Sequence, residues 1–459
     1  MIDPELVDLV LQRALARGGD FAEVFVEEVR STSVSVDDGR VGALADVGWR
    51  GVGIRVVVGE TTGFAHTTDL SPRALVAAAE TASSIAKGGA SRVAPLEVAP
   101  IEPAAPERDP SAKRRMVELL RAGETEARGL ADAIVQVSGQ AATARRRILV
   151  ANSEGRFVTD RQARTRVSFQ VVAAGDTGAQ SGRETSAATV DLEELLDALD
   201  VGALAQVAGR RALAKLAARP APAGVLPVVL AKGSGGILFH EACGHGLEAD
   251  HIAKGASVYA GRLGERVASP LVTLVDDGTR AGEWGSYHID DEGNPAQSNV
   301  LIRDGELVDY LWDRRSATKL GQSPRGNGRR QDYRSLPMVR MTNTFLTPGE
   351  SDPADVVAST DHGVYVAALS GGQVNTATGD FVFGVQEAYL IEHGRITAPI
   401  RDTQLIGNGP EVLAAVDAVA NDFDMTAGTC GKNGQSVPVG CGQPTLRLAG
   451  VTLGGTIGG

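Results

Sequence analysis

Cysteine is scarce in this chain, with three in 459 residues. So few exclude a disulfide framework and suit a reducing compartment. Aromatic residues make up only 4%, which leaves Ala, Val and Leu to fill most of the core. No run approaches the ~20 apolar residues of a membrane span. The opening MIDPELVDLVLQRALARGGD carries acids where a signal peptide would carry bases. Basic charge is short as well: 45 Lys+Arg against 57 Asp+Glu give a formal charge of −12. That balance argues against direct nucleic-acid binding, which needs a basic surface to neutralise phosphates. What is present, 43% apolar and 22% charged residues, is the composition of a folded, soluble protein of two or three domains, expected in the cytoplasm and off the membrane.

Patterning predicts an α+β architecture. Val7, Val10, Leu11 and Ala14 recur at helical spacing, and Gly18-Gly19 stop that helix. Residues 21–68 read as five short strands, FAEVFVEEV, STSVSVDD, RVGALADVG, GVGIRVVVG and TTGFAHTT. A helix opens at Ser71-Pro72. A Pro/Ala-rich connector is expected near 94–112, followed by a helix over 112–130. Strands are expected at 133–139, 147–151, 156–160 and 165–174, then one Ala/Leu helix at 191–217. Pro220, Pro222 and Pro227 mark a junction. The expected division is therefore an N-terminal mixed α/β domain with antiparallel strands (1–220) and a C-terminal β-rich, mostly antiparallel domain (221–459). Hairpin turns are expected at Asp304-Gly305 and His393-Gly394.

The stretch with most chemistry is GSGGILFHEACGHGLEAD, residues 233–250. It sets His240, Glu241 and His245 together in a chain with only seven histidines. Neutral imidazoles bind Zn²⁺, and an adjacent carboxylate can take a proton from an attacking water. The spacing is one residue longer than the HExxH of zinc helices. On a regular helix, at about 100° per residue, side chains five apart diverge by about 140°. A shared ion therefore requires a π-type bulge, or a break at Gly244. A catalytic zinc takes three protein ligands, and the third is open among Cys430, Cys441, Cys243, His251, His288 and scattered carboxylates. Cys243 reads as a small buried hydrophobe. Cys430 and Cys441 lie in similar glycine-flanked loops, and Lys432 near the first would favour a thiolate.

Long idiosyncratic segments then narrow the choice. GVGIRVVVGETTGFAHTTDLS, HEACGHGLEAD, IDDEGNPAQSNVLIRDG, GNGRRQDYRSLPMVRMTNT, SGGQVNTATGDFVFGVQEAYLIEHG and GTCGKNGQSVPVGCGQPTLRL span the chain nearly end to end. In these the sequence resembles the TldD branch of the TldD/PmbA family, once called modulators of DNA gyrase and now read as zinc metallopeptidases. The resemblance implies one Zn²⁺ per chain held by His240, His245 and Cys430, with Glu241 as general base. It implies hydrolysis of unfolded or small peptides, in leader-peptide removal or degradation of labile proteins. It also implies a PmbA/TldE-like paralogue as heterodimer partner, or a homodimer. Cys441 departs from the apolar residue expected there. Two alternatives share the motifs: an amidohydrolase of a natural-product peptide precursor, and a non-enzymatic modulator of DNA gyrase.

Other segments have plainer readings. GNGRRQDYR (326–334) is either a solvated loop or a cleft wall in which Arg329 and Arg330 grip peptide carbonyls or a carboxylate. Lys232-Gly-Ser-Gly-Gly236 lacks the ending of a phosphate loop and reads as a tight turn into the metal helix. Gly51-x-Gly53 reads as a bulge or turn, the acids of IDDEG (289–293) as turn residues or outer partners of the histidines, and SGGQV (370–374) as a simple hairpin or as backbone that an extended peptide can approach closely.

Overall fold

Alternating sequence runs through its turn residues more often than the pattern suggests. In the computed structural model, which describes residues 2–99, 111–176 and 178–455, residues 21–67 form three strands instead of five, because the first four expected runs merge into two long strands while the fifth forms as expected. These are β1 (Phe21–Asp37), β2 (Arg40–Val58) and β3 (Thr61–Thr67). Gly48 stays in the ladder opposite Arg30, and Gly51 and Gly53 stay opposite Glu27 and Phe25. Gly51-x-Gly53 is thus neither bulge nor turn. A Cβ at Gly51 would enter the ring of Tyr333, and one at Gly53 would meet the Tyr333 carbonyl, so the pair makes room for the 326–334 segment.

The Pro/Ala stretch begins with β4 (Glu97–Val98), which runs parallel to Arg156-Phe157; residues 100–110 of the expected connector lie outside the described residues. The four strands expected after residue 130 merge into β5 (Ile134–Asn152) and β6 (Arg156–Gly175). A further strand, β7 (Gly178–Ala188), has the polar sequence GAQSGRETSAA and no apolar alternation to announce it. The sheet runs β3-β2-β1-β5-β6-β4, with β7 also on β6.

Helices cover one face of this sheet. α1 (Pro4–Ala14) is capped by Asp3, whose carboxylate accepts from the Leu6 N–H. α2 (Pro72–Ala82) is capped by Ser71. Both bury their apolar stripes against Ala22, Val24, Val26, Val52 and Ile54. α3 (Ala112–Arg128) packs with the later helices on the far end of the long strands, around Val34, Val167 and Phe169. The helix expected over 191–217 is two, α4 (Leu192–Ala198) and α5 (Val201–Leu216), because Leu199 is extended and the Asp200 side chain caps Ala203.

Period-two alternation sends Glu23, Phe25 and Glu27 to the opposite face, and there they meet the second half of the chain. Phe25 packs with Tyr333. Glu23 pairs with both Arg55 and Arg330, and Arg55 also with Glu292, all in side chains no more than 5% exposed.

Beyond Pro220 the chain is β-rich and mostly antiparallel, and the fold as a whole is α+β. One six-stranded sheet ends with Asn343–Leu346, Gln435–Gln443 and Asp424–Lys432. A second, of eight strands, contains Gly224–Leu230, His362–Val374 and Asp380–Glu392. The expected hairpins form: Asp304-Gly305 have φ 48° and 84°, and His393-Gly394 have φ 53° and 71°, as two-residue turns between right-twisted strands require. No helix among the described residues is long and apolar enough to cross a membrane.

Candidate metal centre

The metal helix enters through glycines. Gly233, at φ 93°, turns the chain after the strand Gly224–Leu230, and α6 (Gly236–Phe239) follows. A Cβ on Gly236 would strike the backbone of Gly442, so this helix lies directly on the strand that carries Cys441. The tight-turn reading of Lys232–Gly236 holds.

His240–Gly244 then form a π-helical turn, and His245–Leu247 a 3₁₀ turn. This is the widened turn that the five-residue spacing demands. It brings the rings of His240 and His245 to 5.2 Å between centroids. Gly244 is required by packing, because a Cβ there would run into Met341 Sδ.

Cys430 and Cys441 are not in loops. They sit on the two strands of one hairpin, Asp424–Lys432 and Gln435–Gln443, joined at Asn433-Gly434 with φ 49° and 75°. Cys430 faces Val437, and Cys441 faces Thr426. Cys430 Sγ lies 3.3 Å from His245 Nε2. One donor atom each of His240, His245 and Cys430 falls within 4.8 Å of the others, in side chains that are all buried. Both ring nitrogens of His240 are buried without a hydrogen-bond partner. Orphaned buried nitrogens are rare in folded proteins, and a cation between two imidazoles and a thiol would satisfy one of the two. The donor set therefore fits a metal of borderline softness.

Electrostatics around the three donors favours their charged forms. Burial raises the Cys430 thiol, but His240 and His245 outweigh it and bring its pKa down to about 4. Burial lowers His245, but Glu248 and Cys430 outweigh it and raise it to about 10. These opposed charges are what a cation would replace, with release of protons.

Outer partners hold the site in shape. Glu248 Oε2 is 3.0 Å from His245 Nδ1, which turns Nε2 toward Cys430. Lys432 Nζ donates to Glu248 at 2.9 Å and to Asp250 at 2.7 Å. The lysine thus acts on the carboxylate behind His245 and not on the thiolate. The cost of burying Glu248 is exceeded by the pull of His245 and Lys432, which leaves its pKa at about 2. Glu248 is the residue that the sequence reading does not single out; its signal is an acid three residues past the second histidine. Arg340 donates to the Cys430 carbonyl.

Glu241 differs from these neighbours. Its side chain is 19% exposed and its Oε2 stands 3.7 Å from His245 Nε2, beside the donors yet open to water. The other candidates lie elsewhere or are occupied. Cys243 is fully buried, and burial pushes its thiol up to about 12. His288 is 88% exposed and pairs with Asp160. His251 belongs to the Glu248–Asp250 group that Lys432 already enters. Cys441 is buried and acts electrostatically on His240. A separate group, Asp361, His362 and His393, is exposed.

The basic cluster is no solvated loop. Arg329 is 4% and Arg330 1% exposed. Arg329 donates to the carbonyls of Met341 and Pro438, and Arg330 to Glu23 and the Asp291 carbonyl. The IDDEG acids are engaged by arginines: Asp291 accepts from the Arg146 side chain and the Arg330 N–H, and Glu292 from Arg55. They are not partners of the histidines.

Comparison with known proteins gives a consistent match. Models of the PmbA/TldA metallopeptidase family match residues 22–86 (domain 1), 105–216 (central domain) and 223–455 (C-terminal domain). A metalloprotease TldD homolog of Haemophilus influenzae is 39% identical over 96% of this chain and 94% of its own length. A metalloprotease of Methanothermobacter thermautotrophicus is 34% identical over 95% and 96%. Among solved structures, a putative modulator of DNA gyrase from Thermotoga maritima superposes with a TM-score of 0.80 at 21% identity, covering 98% of this chain and 99% of the other. TldE from Thermococcus kodakarensis gives 0.78 at 20% identity, over 98% and 99%. At these identities the two structures speak for the fold alone.

Proposed function

The chain belongs to the PmbA/TldD metallopeptidase family, and from that premise we infer that it is a zinc peptidase of unfolded or small peptides, with His240, His245 and Cys430 as ligands and Glu241 as general base. The observation that carries this reading is the convergence of the three donor atoms within 4.8 Å, next to a carboxylate open to water. Two imidazoles and one thiolate suit Zn²⁺ and leave it a net positive charge. When bound, the cation supplies a Lewis acid that polarises the scissile carbonyl and acidifies water.

The chain's own groups do the rest. Glu241 takes the proton of the attacking water and passes it to the leaving amine. Glu248, fixed by Lys432, keeps Nδ1 of His245 engaged so that Nε2 stays turned toward Cys430, where the two would hold the cation. The π-helical turn places the two histidines on one side while Glu241, between them, keeps its access to solvent.

Leader-peptide removal and degradation of labile proteins are the roles that suit such a substrate. A PmbA/TldE-like paralogue is the expected partner, with a homodimer as the other arrangement. The reading is tested by metal analysis together with digestion of an unstructured peptide library, followed by mass spectrometry. Stoichiometric zinc and Glu241-dependent cleavage are expected. Zinc-loaded protein that cleaves no peptide, alone or with the paralogue, overturns it.

A further inference from the structure

Four arginines line one small cavity where the N-terminal sheet meets the hairpin of Cys430. Arg146 and Arg164 come from β5 and β6, and Arg329 and Arg330 from the 326–334 segment. The acids of that cavity are Asp290 and Asp291. Asp290 already accepts from the N–H groups of Glu292, Asn294 and Gly328. Asp291 is taken by Arg146 and by the Arg330 N–H.

Arg146 also pairs with Glu27, and Arg330 with Glu23, so it is the other two arginines of the cavity that lack a counter-charge. Among the described residues neither Arg164 nor Arg329 has a carboxylate at ion-pair distance; Arg164 donates to the carbonyls of Trp284 and Ser286 and to Gln162. Arg146 Nη2 is buried with no hydrogen-bond partner, as are Nε and Nη1 of Arg330, whose side chain is 0% exposed. Burial, and then the neighbouring Arg329 and Arg146, push the Arg164 guanidinium down to about 9. Like charges gathered out of water are costly unless something of opposite sign joins them.

The cavity measures about 70 Å³, room for about five water-sized spheres. That admits a carboxylate or a phosphate-sized group and nothing much larger. Its far wall is Ser436–Pro438. Val437 there lies directly opposite Cys430 in the hairpin, so the cavity is one strand away from the metal ligand.

We propose that this arginine-lined cavity is an oxyanion site, and that the group it takes is a carboxylate of the peptide being cleaved. The source of the carboxylate rests on the peptidase reading, whereas the site itself does not. Planar guanidiniums with free N–H groups suit a carboxylate's two oxygens.

Two measurements on the full chain separate these claims. In metal-depleted protein, acetate or phosphate should raise the melting temperature by about 2 °C at saturation relative to chloride of equal ionic strength. Arg164→Gln should abolish that rise, and Arg164→Lys, which keeps a charge, should retain part of it. In zinc-loaded protein, peptides with a free C-terminal carboxylate should show a KM about tenfold lower than their amides, with kcat unchanged, and Arg164→Gln should erase the difference. Stabilisation by acetate or phosphate without that preference would overturn the peptide as source and assign the site to a free ion. No response to either anion and no preference would overturn the site. If neither variant folds, the wild-type anion and peptide comparisons decide alone.

Discussion

Cys430 Sγ lies 3.3 Å from His245 Nε2, although 185 residues separate them in the chain. The contact joins a strand hairpin to a distorted helical turn, and the candidate chemistry sits where they meet. Cys441, on the adjoining strand, is buried and acts on His240 without entering the group of three donors.

Replacing the two thiols separately discriminates between them. Cys430→Ala should lower zinc affinity by at least ~100-fold, beyond the 10–100-fold typical of outer partners, whereas Cys441→Ala should retain about one zinc per chain. Elemental analysis after dialysis against a weak chelator reads the difference, and the reverse pattern would move the ligand assignment to Cys441.

Glu241→Gln removes the base and keeps the shape. Zinc content should match wild type while peptide turnover falls by about 10²–10⁴-fold. Turnover at the wild-type rate in that variant would show that another group carries the proton.

Gly244→Ala tests the π-helical turn. The added Cβ collides with Met341 Sδ, and overpacking of this kind costs about 1–3 kcal/mol. The expected result is a lower melting temperature together with weakened zinc retention. Because the clash is with one side chain, Gly244→Ala/Met341→Ala should lose less than the two single changes summed. Strict additivity in thermal denaturation would mean that the glycine is needed for another reason.

The junction between the halves predicts a pH response. Burial raises Glu23, but Arg55 and Arg330 outweigh it, so its pKa stands below the ordinary 4.5. An acid whose folded pKa is depressed adds stability that is complete above its unfolded value and lost as pH falls through the folded one. Wild-type melting temperature should therefore drop on acidification below about pH 4.5. Glu23→Gln should be less stable at pH 7, by about 3–5 kcal/mol for a broken buried pair, and flatter below pH 4.5. Parallel melting curves against pH for the two proteins would remove Glu23 from the account.

Much of the site was legible because the chemistry constrains spacing. His240 and His245 five residues apart cannot share an ion on a regular helix, so their spacing alone calls for a widened turn or a break at Gly244, and the turn is widened. The turns Asp304-Gly305 and His393-Gly394 were legible for a similar reason, since few residue pairs tolerate two positive φ angles. Strand ends were less so. Gly48 and Gly51 look like terminators, yet they continue a ladder in which long-range packing, such as Tyr333 over Gly51, sets the need for glycine. β7 was invisible, because its pairing with β6 supplies the order that its polar side chains do not advertise.

By itself the sequence determined the α+β class, the histidine pair, its adjacent carboxylate and the distortion their spacing demands, since all of these depend on residues near one another in the chain. Tertiary structure decided that Cys430 meets His245, that Glu248 and Lys432 hold that histidine, and that Arg330 is buried against the N-terminal sheet while Arg329 is held by the carbonyls of Met341 and Pro438. Such contacts bridge up to 307 residues, and side-chain spacing carries no record of which distant strand will arrive beside a given turn.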